Sequence, residues 1–416
     1  MEQQINWKKL DREQRGKLIC ESGKIKKEKN YWIVGSQSSL KDYKVSFNGH
    51  EPKCTCPDCT LRKGKCKHIY AVEFYIRKEI NEEGKVTETR GVKVTYSQKW
   101  SAYNKSQTNE KIIFMKLLKD LCENIEQPEY KFGRPTLPFA DMLFGSVMKV
   151  YTGFSLRRFM SDMKIAKEFG LVNEVPCYSS ISNFMNKGEV KPILDNLIIL
   201  SSLPLKEIET DFAVDSSGFS TSRYARWFDY KWGKERKYKV WLKAHITTGT
   251  KTNIISSVSV TEGSSNDSPQ LSRLVQETAK HFQVKEVSCD RAYSSRKNLE
   301  LINDVGAVPY IPFKKNVTGK RVRNRGLSVW GKMYHYFMYK HDEFLEHYHK
   351  RSNVETTFHM IKAKFGGAIR SKKETAQINE VLIKILAHNI CVVIQEVNEL
   401  GVKAEFKLEE TKELSV

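Results

Sequence analysis

From Glu207 onward the chain gives up helical periodicity for short alternating runs, and the order of those runs limits the fold more than any other feature. IETDFAVD, YKVWLKAHITT and TNIISSVSVTE alternate apolar and polar residues as half-buried strands do. A helix at about 267–282, the strand KEVSCD, a helix at about 294–304 and the strand AVPYIPF follow. Consecutive strands can pair antiparallel, whereas strands separated by a helix are joined by crossovers and lie parallel. The order predicts a mixed α/β sheet flanked by helices.

Upstream, residues 108–204 are rich in helical patterns, as in NEKIIFMKLLKDLCENI, FADMLFGSVMKVYTG, SLRRFMSDMKIAKEFGL and VKPILDNLIILSSL, and predict a helical domain. Within it Ser155 opens a helix, Gly170 ends one, and a short helix beginning at Tyr178-Ser179-Ser180 resembles the reading helix of a helix-turn-helix, near 179–187. Earlier still, YWIVGS and YKVSF predict strands and HIYAVEFYIRKEI a helix, giving a small module over 16–82 and a polar linker over 83–107. Residues 205–400 hold the sheet and its following helices, which resemble a ribonuclease-H-like domain, and 401–416 form a charged tail. At about 150 residues per domain, 416 residues suit two or three domains.

Hydrophobic residues make up 40% of the chain and charged residues 29%, which excludes a wholly disordered, collagenous or disulfide-scaffold protein. The longest apolar stretch, Val381 to Ile394, is interrupted by Lys384 and His388 and predicts a buried helix, not a membrane span. The start, MEQQINWKKLDREQRGK, lacks the features of a signal peptide, so a cytoplasmic, nucleoid-associated protein with reduced thiols is expected. Lys and Arg number 70 against 49 Asp and Glu, a net charge of +21, and the expected partner is a polyanion. With no basic amphipathic helix or lipid anchor in the sequence, nucleic acid is favoured over a membrane surface.

Asp215 and Asp290 each end a predicted strand, before Ser216-Ser217-Gly218 and Arg291-Ala292-Tyr293. Neighbouring strands would bring the two carboxylates together, and a third acid would complete a metal site. A helix over 348–362 supplies it: at about 100° per residue Tyr348, Arg351, Glu355 and Lys362 fall on one narrow face. Three charges make a poor core stripe. They make a good catalytic one, with Glu as metal ligand, Arg and Lys on phosphates, and Tyr stacking on a base or donating to a phosphate. Three carboxylates suit two Mg²⁺ (or Mn²⁺) ions working on a phosphodiester. Asp211 reads as a supporting or solvent-facing acid, and Asp229 and Glu262 as weaker alternatives.

The set Asp215, Asp290 and Glu355, with Y348-HK-R351-SNV-E355-TTFHMI-K362, resembles the insertion-sequence DDE transposases that carry a Tyr-Arg-Glu-Lys signature. The resemblance spans roughly residues 110–395 and implies that the helical domain over 108–204 is a helical DNA-binding domain. It implies binding of terminal inverted repeats, metal-dependent cleavage, and joining of a 3′-hydroxyl to target DNA, commonly through a hairpin on the transposon end. It also implies a dimer bridging two ends. A nuclease that cuts without joining and a domesticated DNA-binding regulator are the alternatives. An aromatic gripping a flipped base would come from Trp330, Trp227, Trp232 or Trp241, each of which reads equally as packing. The basic stretches 226–243 and 314–325 are expected to line the DNA path.

Four cysteines fall close together, in C54-T-C56-PDCTLRKGK-C66-K-H68. Two close ligand pairs meet the tetrahedral requirement of structural zinc. The pattern resembles a SWIM-type zinc finger, with Cys54, Cys56, Cys66 and His68 as ligands and Cys59 as an extra thiol able to replace one.

Overall fold

The computed structural model describes residues 11–22, 25–28, 31–36, 42–48, 51–62, 65–80, 99–123, 125–127, 137–221, 241–314, 317, 328–404 and 406. The chain divides into two compact units, Met1–Tyr96 and Ser97–Val416.

In the first unit, α1 (Arg12–Glu21) starts on a capping box in which Asp11 accepts from the Gln14 N–H and Gln14 returns the bond. Strands β1 (Ile25–Lys27), β2 (Trp32–Gly35), β3 (Asp42–Asn48) and β4 (Glu51–Cys54) form an antiparallel sheet in sequential order. Helices α2 (Pro57–Arg62) and α3 (Lys67–Ile80) follow. Ile19, Val34, Val45, Ile69 and Val72 fill the core. Gly16 lets α1 meet α3, since a Cβ there would lie 2.6 Å from Tyr70 Cβ. The sequence pattern captures β2, β3 and α3, but α1 begins ahead of the expected module start at residue 16 and runs across it, and the polar strands β1 (IKK) and β4 (EPKC) carry too little alternation to be seen.

The second unit begins with α4 (Trp100–Glu123), α5 (Phe139–Thr152), α6 (Leu156–Glu168), α7 (Tyr178–Phe184) and α8 (Val190–Ser202). The linker expected over 83–107 is therefore helical from Trp100 onward, and its residues up to 98 lie outside the described ones. Gly153 and Gly170 both have φ of +66° where α5 and α6 end, as left-handed caps require. The sheet comprises β5 (Asp211–Ser220), β6 (Trp241–Gly249) and β7 (Ile255–Glu262), then β8 (Glu286–Cys289) and β9 (Val308–Tyr310). Helix α9 (Gln270–His281) precedes β8, and α10 (Arg296–Asp304) separates it from β9. Among the described residues, four more helices close the unit: α11 (Val329–Tyr339), α12 (His341–Tyr348), α13 (Ser352–Phe365) and α14 (Glu374–Glu399).

The sheet order is β7-β6-β5-β8-β9. β5 pairs antiparallel with β6 and β6 with β7, while β8 lies parallel to both β5 and β9. This is the mixed ribonuclease-H-like sheet that the element order predicts. Each face is buried. Ala213, Phe219, Ala244 and Ile246 join α4, α5, α8, α13 and α14 in one core, and Phe212, Val214, Val287 and Cys289 join α9, α10, α11 and α12 in the other. α14 is, among the described residues, the one helix long and apolar enough to cross a membrane, and 83% of its most apolar window is buried in the protein.

Two expectations need correction. β5 does not end at Asp215 but continues to Ser220, because Ser216–Ser220 stay paired with Trp241–His245 of β6. The helix expected over 348–362 is broken: α12 ends at Tyr348, a 3₁₀ turn covers His349–Arg351, and α13 starts at Ser352. Beyond Gly401, Val402 and Ala404 pack on the core and Phe406 is buried, so the start of the expected charged tail belongs to the fold.

Candidate metal and nucleic-acid site

The parallel pair β5·β8 is in register from Asp211↔Glu286 to Val214↔Cys289, so the next positions are Asp215 and Asp290. Neighbouring strands lie about 4.8 Å apart, which makes these two carboxylates lateral neighbours. β8 ends there and β5 goes on, leaving Asp215 beside the opening where its neighbour strand stops. Asp215 Oδ1 accepts from the Ser216 N–H at 2.8 Å, and Asp290 caps the following 3₁₀ turn through the Arg291 N–H. Burial pushes the Asp215 carboxyl above its ordinary pKa and the Asp290 charge adds to it, while Ser216 and Arg351 pull the other way.

The turn and helix of the signature pack against the same face. Arg351 Nη1 lies 2.8 Å from Asp215 Oδ2 and Nη2 2.9 Å from Glu355 Oε1. Although burial opposes it, Tyr348 and Asp215 hold the Arg351 pKa above its ordinary value. Glu355 stands in the first turn of α13 with its side chain 64% exposed, against 22% for Asp215, so it has room to turn toward the aspartates. Lys362 Nζ donates to Ser217 Oγ at 2.6 Å and lies over the Phe219 ring; burial lowers its pKa. The loop after α13 is tied to the end of β5, where Ser220 bridges Ala368, and Lys384 Nζ holds the Gly366 and Ala368 carbonyls at 2.9 Å each.

Asp215, Arg351, Glu355 and Lys362 thus gather along the middle of β5, with Asp290 alongside. Among the described residues only the cysteine–histidine group draws three or more metal-ligand atoms within 4.8 Å of one another, so the three carboxylates stand wider apart, with Arg351 between two of them. An all-oxygen donor set of three carboxylates fits a hard divalent cation such as Mg²⁺ or Mn²⁺.

Other predicted residues are placed as follows. Asp211 is no solvent-facing acid, since it pairs with Lys350 Nζ at 2.7 Å. Glu262 is exposed at the end of β7. Trp330 packs edge-on against Phe313 and is buried, and Trp241 is 41% exposed over Gly218. Asp229, Trp227 and Trp232, and most of both basic stretches, lie outside the described residues. Asp267 had no sequence signal. It accepts from Ser216 Oγ at 3.0 Å and pairs with Lys243 at 2.5 Å, on the sheet face opposite Arg351.

In the first unit, Cys54, Cys56, Cys66 and His68 are all buried with their ligand atoms within 4.8 Å of one another. His68 Nδ1 faces Cys54 Sγ at 3.9 Å and Cys66 Sγ at 3.8 Å. Three thiols and an imidazole are a zinc donor set. Cys66 is the thiol held below its ordinary pKa, chiefly by the hydrogen bond from Cys54. Cys59 stands outside the group, and its N–H points to Cys56 Sγ at 3.4 Å.

Residues 207–390 match the transposase DDE domain family, and residues 43–77 the SWIM zinc finger family. A probable transposase for insertion sequence element ISA1214 from Archaeoglobus fulgidus is 28% identical over 218 residues, 52% of this chain and 63% of that protein. The chain therefore spans less than two thirds of that relative's length. A structure of the piggyBac transposase synaptic complex with hairpin DNA has a TM-score of 0.34 at 12% identity, covering 74% of this chain and 77% of that one. Residues 207–390 thus match a transposase DDE domain, with a SWIM zinc finger match on its N-terminal side.

Proposed function

We propose that the chain binds the terminal inverted repeats of an insertion sequence and catalyses divalent-metal-dependent DNA cleavage and strand transfer, two copies bridging two ends in the cytoplasm at the nucleoid. The observation that carries this reading is the placement of Asp215 beside Asp290, with Arg351 and Glu355 of the signature within hydrogen-bonding reach of Asp215.

Asp215, Asp290 and Glu355 would hold Mg²⁺ or Mn²⁺, which supplies Lewis-acid stabilisation of the phosphodiester and activation of the attacking hydroxyl. Arg351, planar and always charged, grips a phosphate oxygen on one side, and Lys362 holds a second phosphate further along β5. Tyr348 stacks on a base or donates to a phosphate. The helical region α4–α8 presents DNA to this edge, with Arg157, Arg158 and Tyr178 exposed on α6 and α7. Cys54, Cys56, Cys66 and His68 hold zinc; four protein ligands give it a structural role.

The experiment is incubation of the purified protein with Mg²⁺ and DNA carrying the element's own ends, comparing wild type with Glu355→Gln. Joined products that vanish in the variant support strand transfer. Cutting without joining would make the chain a nuclease, and binding without Glu355-dependent chemistry would make it a regulator.

A further inference from the structure

A second pair of acids lies just below the candidate metal site. On one face of β5 and β8 the register places Asp211 against Glu286 and Ala213 against Ser288, with Asp215 and Asp290 next in line. An acid pair, a small pair and another acid pair therefore follow one another. Carboxylates side by side on neighbouring strands repel. The chain itself answers this at the lower pair. Lys350 Nζ lies 2.7 Å from Asp211 Oδ2 and 2.8 Å from Glu286 Oε2, bridging the two strands. His347 Nδ1 lies 2.8 Å from Glu286 Oε1, and its ring stacks on Tyr310 of β9 at 4.5 Å and 4°. Ser288 Oγ donates to the His347 carbonyl at 3.2 Å, fastening the end of α12 to the same strand. Lys350 precedes Arg351 in the 3₁₀ turn, so one short turn sets a cation on Asp215 and another on the Asp211–Glu286 pair.

We propose that Lys350 is a positioning residue for the metal site: by bridging Asp211 and Glu286 it fixes the spacing of β5 and β8 and the turn that carries Arg351, and thereby the separation of Asp215 and Asp290. The proposal rests on the metal-site reading given above. Its working part is the positive charge, so arginine at 350 keeps the clamp and methionine, of similar length, removes it.

The test measures Mn²⁺ binding to the full-length protein without DNA, by the electron paramagnetic resonance of free Mn²⁺, alongside thermal melting. Lys350→Met is expected to weaken binding about tenfold, the scale of losing a residue that orients metal ligands. Lys350→Arg is expected to restore most of it. Adding Asp211→Asn and Glu286→Gln to Lys350→Met removes the repulsion and is also expected to restore binding. This triple variant carries the test if Lys350→Met alone lowers the melting temperature; binding still tenfold weak would then overturn the clamp. Asp290→Asn separates the two readings. If it abolishes binding while Lys350→Met leaves binding unchanged, Lys350 has no positioning role. If Asp290→Asn leaves binding intact, the metal-site reading fails and the clamp falls with it.

Discussion

Arg351 Nη1 lies 2.8 Å from Asp215 Oδ2, so the first candidate metal ligand is paired with a cation from the signature turn. The other arm of the same guanidinium holds Glu355 at 2.9 Å. An arginine between two metal ligands competes with the cation for both, and its fork is then free to take a phosphate when the carboxylates turn to the metal. Arg351→Ala is predicted to bind Mn²⁺ at least as tightly as wild type while cleavage of end-bearing DNA falls about 10²-fold, the scale of losing one transition-state donor. Parallel Mn²⁺ titrations and cleavage rates check this. A loss of Mn²⁺ binding as deep as that of Asp290→Asn would contradict it.

Lys362 reaches Ser217 Oγ at 2.6 Å, and the proposed function gives it a DNA phosphate to hold. Each phosphate contact adds to the salt dependence of DNA binding through counterion release. Lys362→Met is predicted to weaken end binding and to reduce the log–log salt slope by about 1. Fluorescence anisotropy across a range of salt concentrations reads both, and an unchanged slope would remove Lys362 from the DNA contact.

Much of this site is visible in the sequence because it is built from local rules. Alternation gives the strands, and the helices between them force β8 to run parallel to β5, so Asp215 and Asp290 meet from pattern alone. The cysteine spacing likewise points to the four side chains that the fold gathers into one buried group. What pattern misses is what tertiary contacts impose. No glycine or proline marks a break between Tyr348 and Lys362, and the 3₁₀ turn at His349–Arg351 lies where Lys350 and His347 are drawn onto Asp211 and Glu286. Ser216-Ser217-Gly218 looks like a turn, yet pairing with β6 keeps it extended, as local context overrides β propensity. The partners of Asp211 and Asp267 lie too far away in sequence for any spacing rule to reach.

The cysteine–histidine group makes a clear assignment between competing thiols. Cys66→Ser or His68→Ala is predicted to remove about one equivalent of bound zinc and to unfold the α1–α3 unit, since binding free energy in such small sites is folding free energy. Cys59→Ser is predicted to retain the metal, because its thiol stands outside the buried group. Metal analysis with a chromogenic chelator decides it; zinc lost from Cys59→Ser alone would reassign the ligand set.

His388 is buried in α14 with Nε2 2.9 Å from the Asn253 carbonyl, which the neutral ring's N–H can donate to. Burial pushes its pKa from 6.5 down to about 4. A depressed folded pKa means that its contribution is fully present above pH 6.5 and is lost as pH falls toward 4, amounting to about 3 kcal/mol. Thermal melts of wild type and His388→Gln over this window are predicted to differ in slope, the wild type losing stability faster with acid. Equal slopes would contradict the assignment.

The central claim is that Asp290 is a metal ligand for DNA chemistry, and changing the ligand atom tests it most directly. Thiolate is a poor ligand for Mg²⁺ and a better one for Mn²⁺. Asp290→Cys is predicted to lose cleavage of end-bearing DNA in Mg²⁺ and to regain it in Mn²⁺. Full Mg²⁺-dependent cleavage by Asp290→Cys would contradict the account.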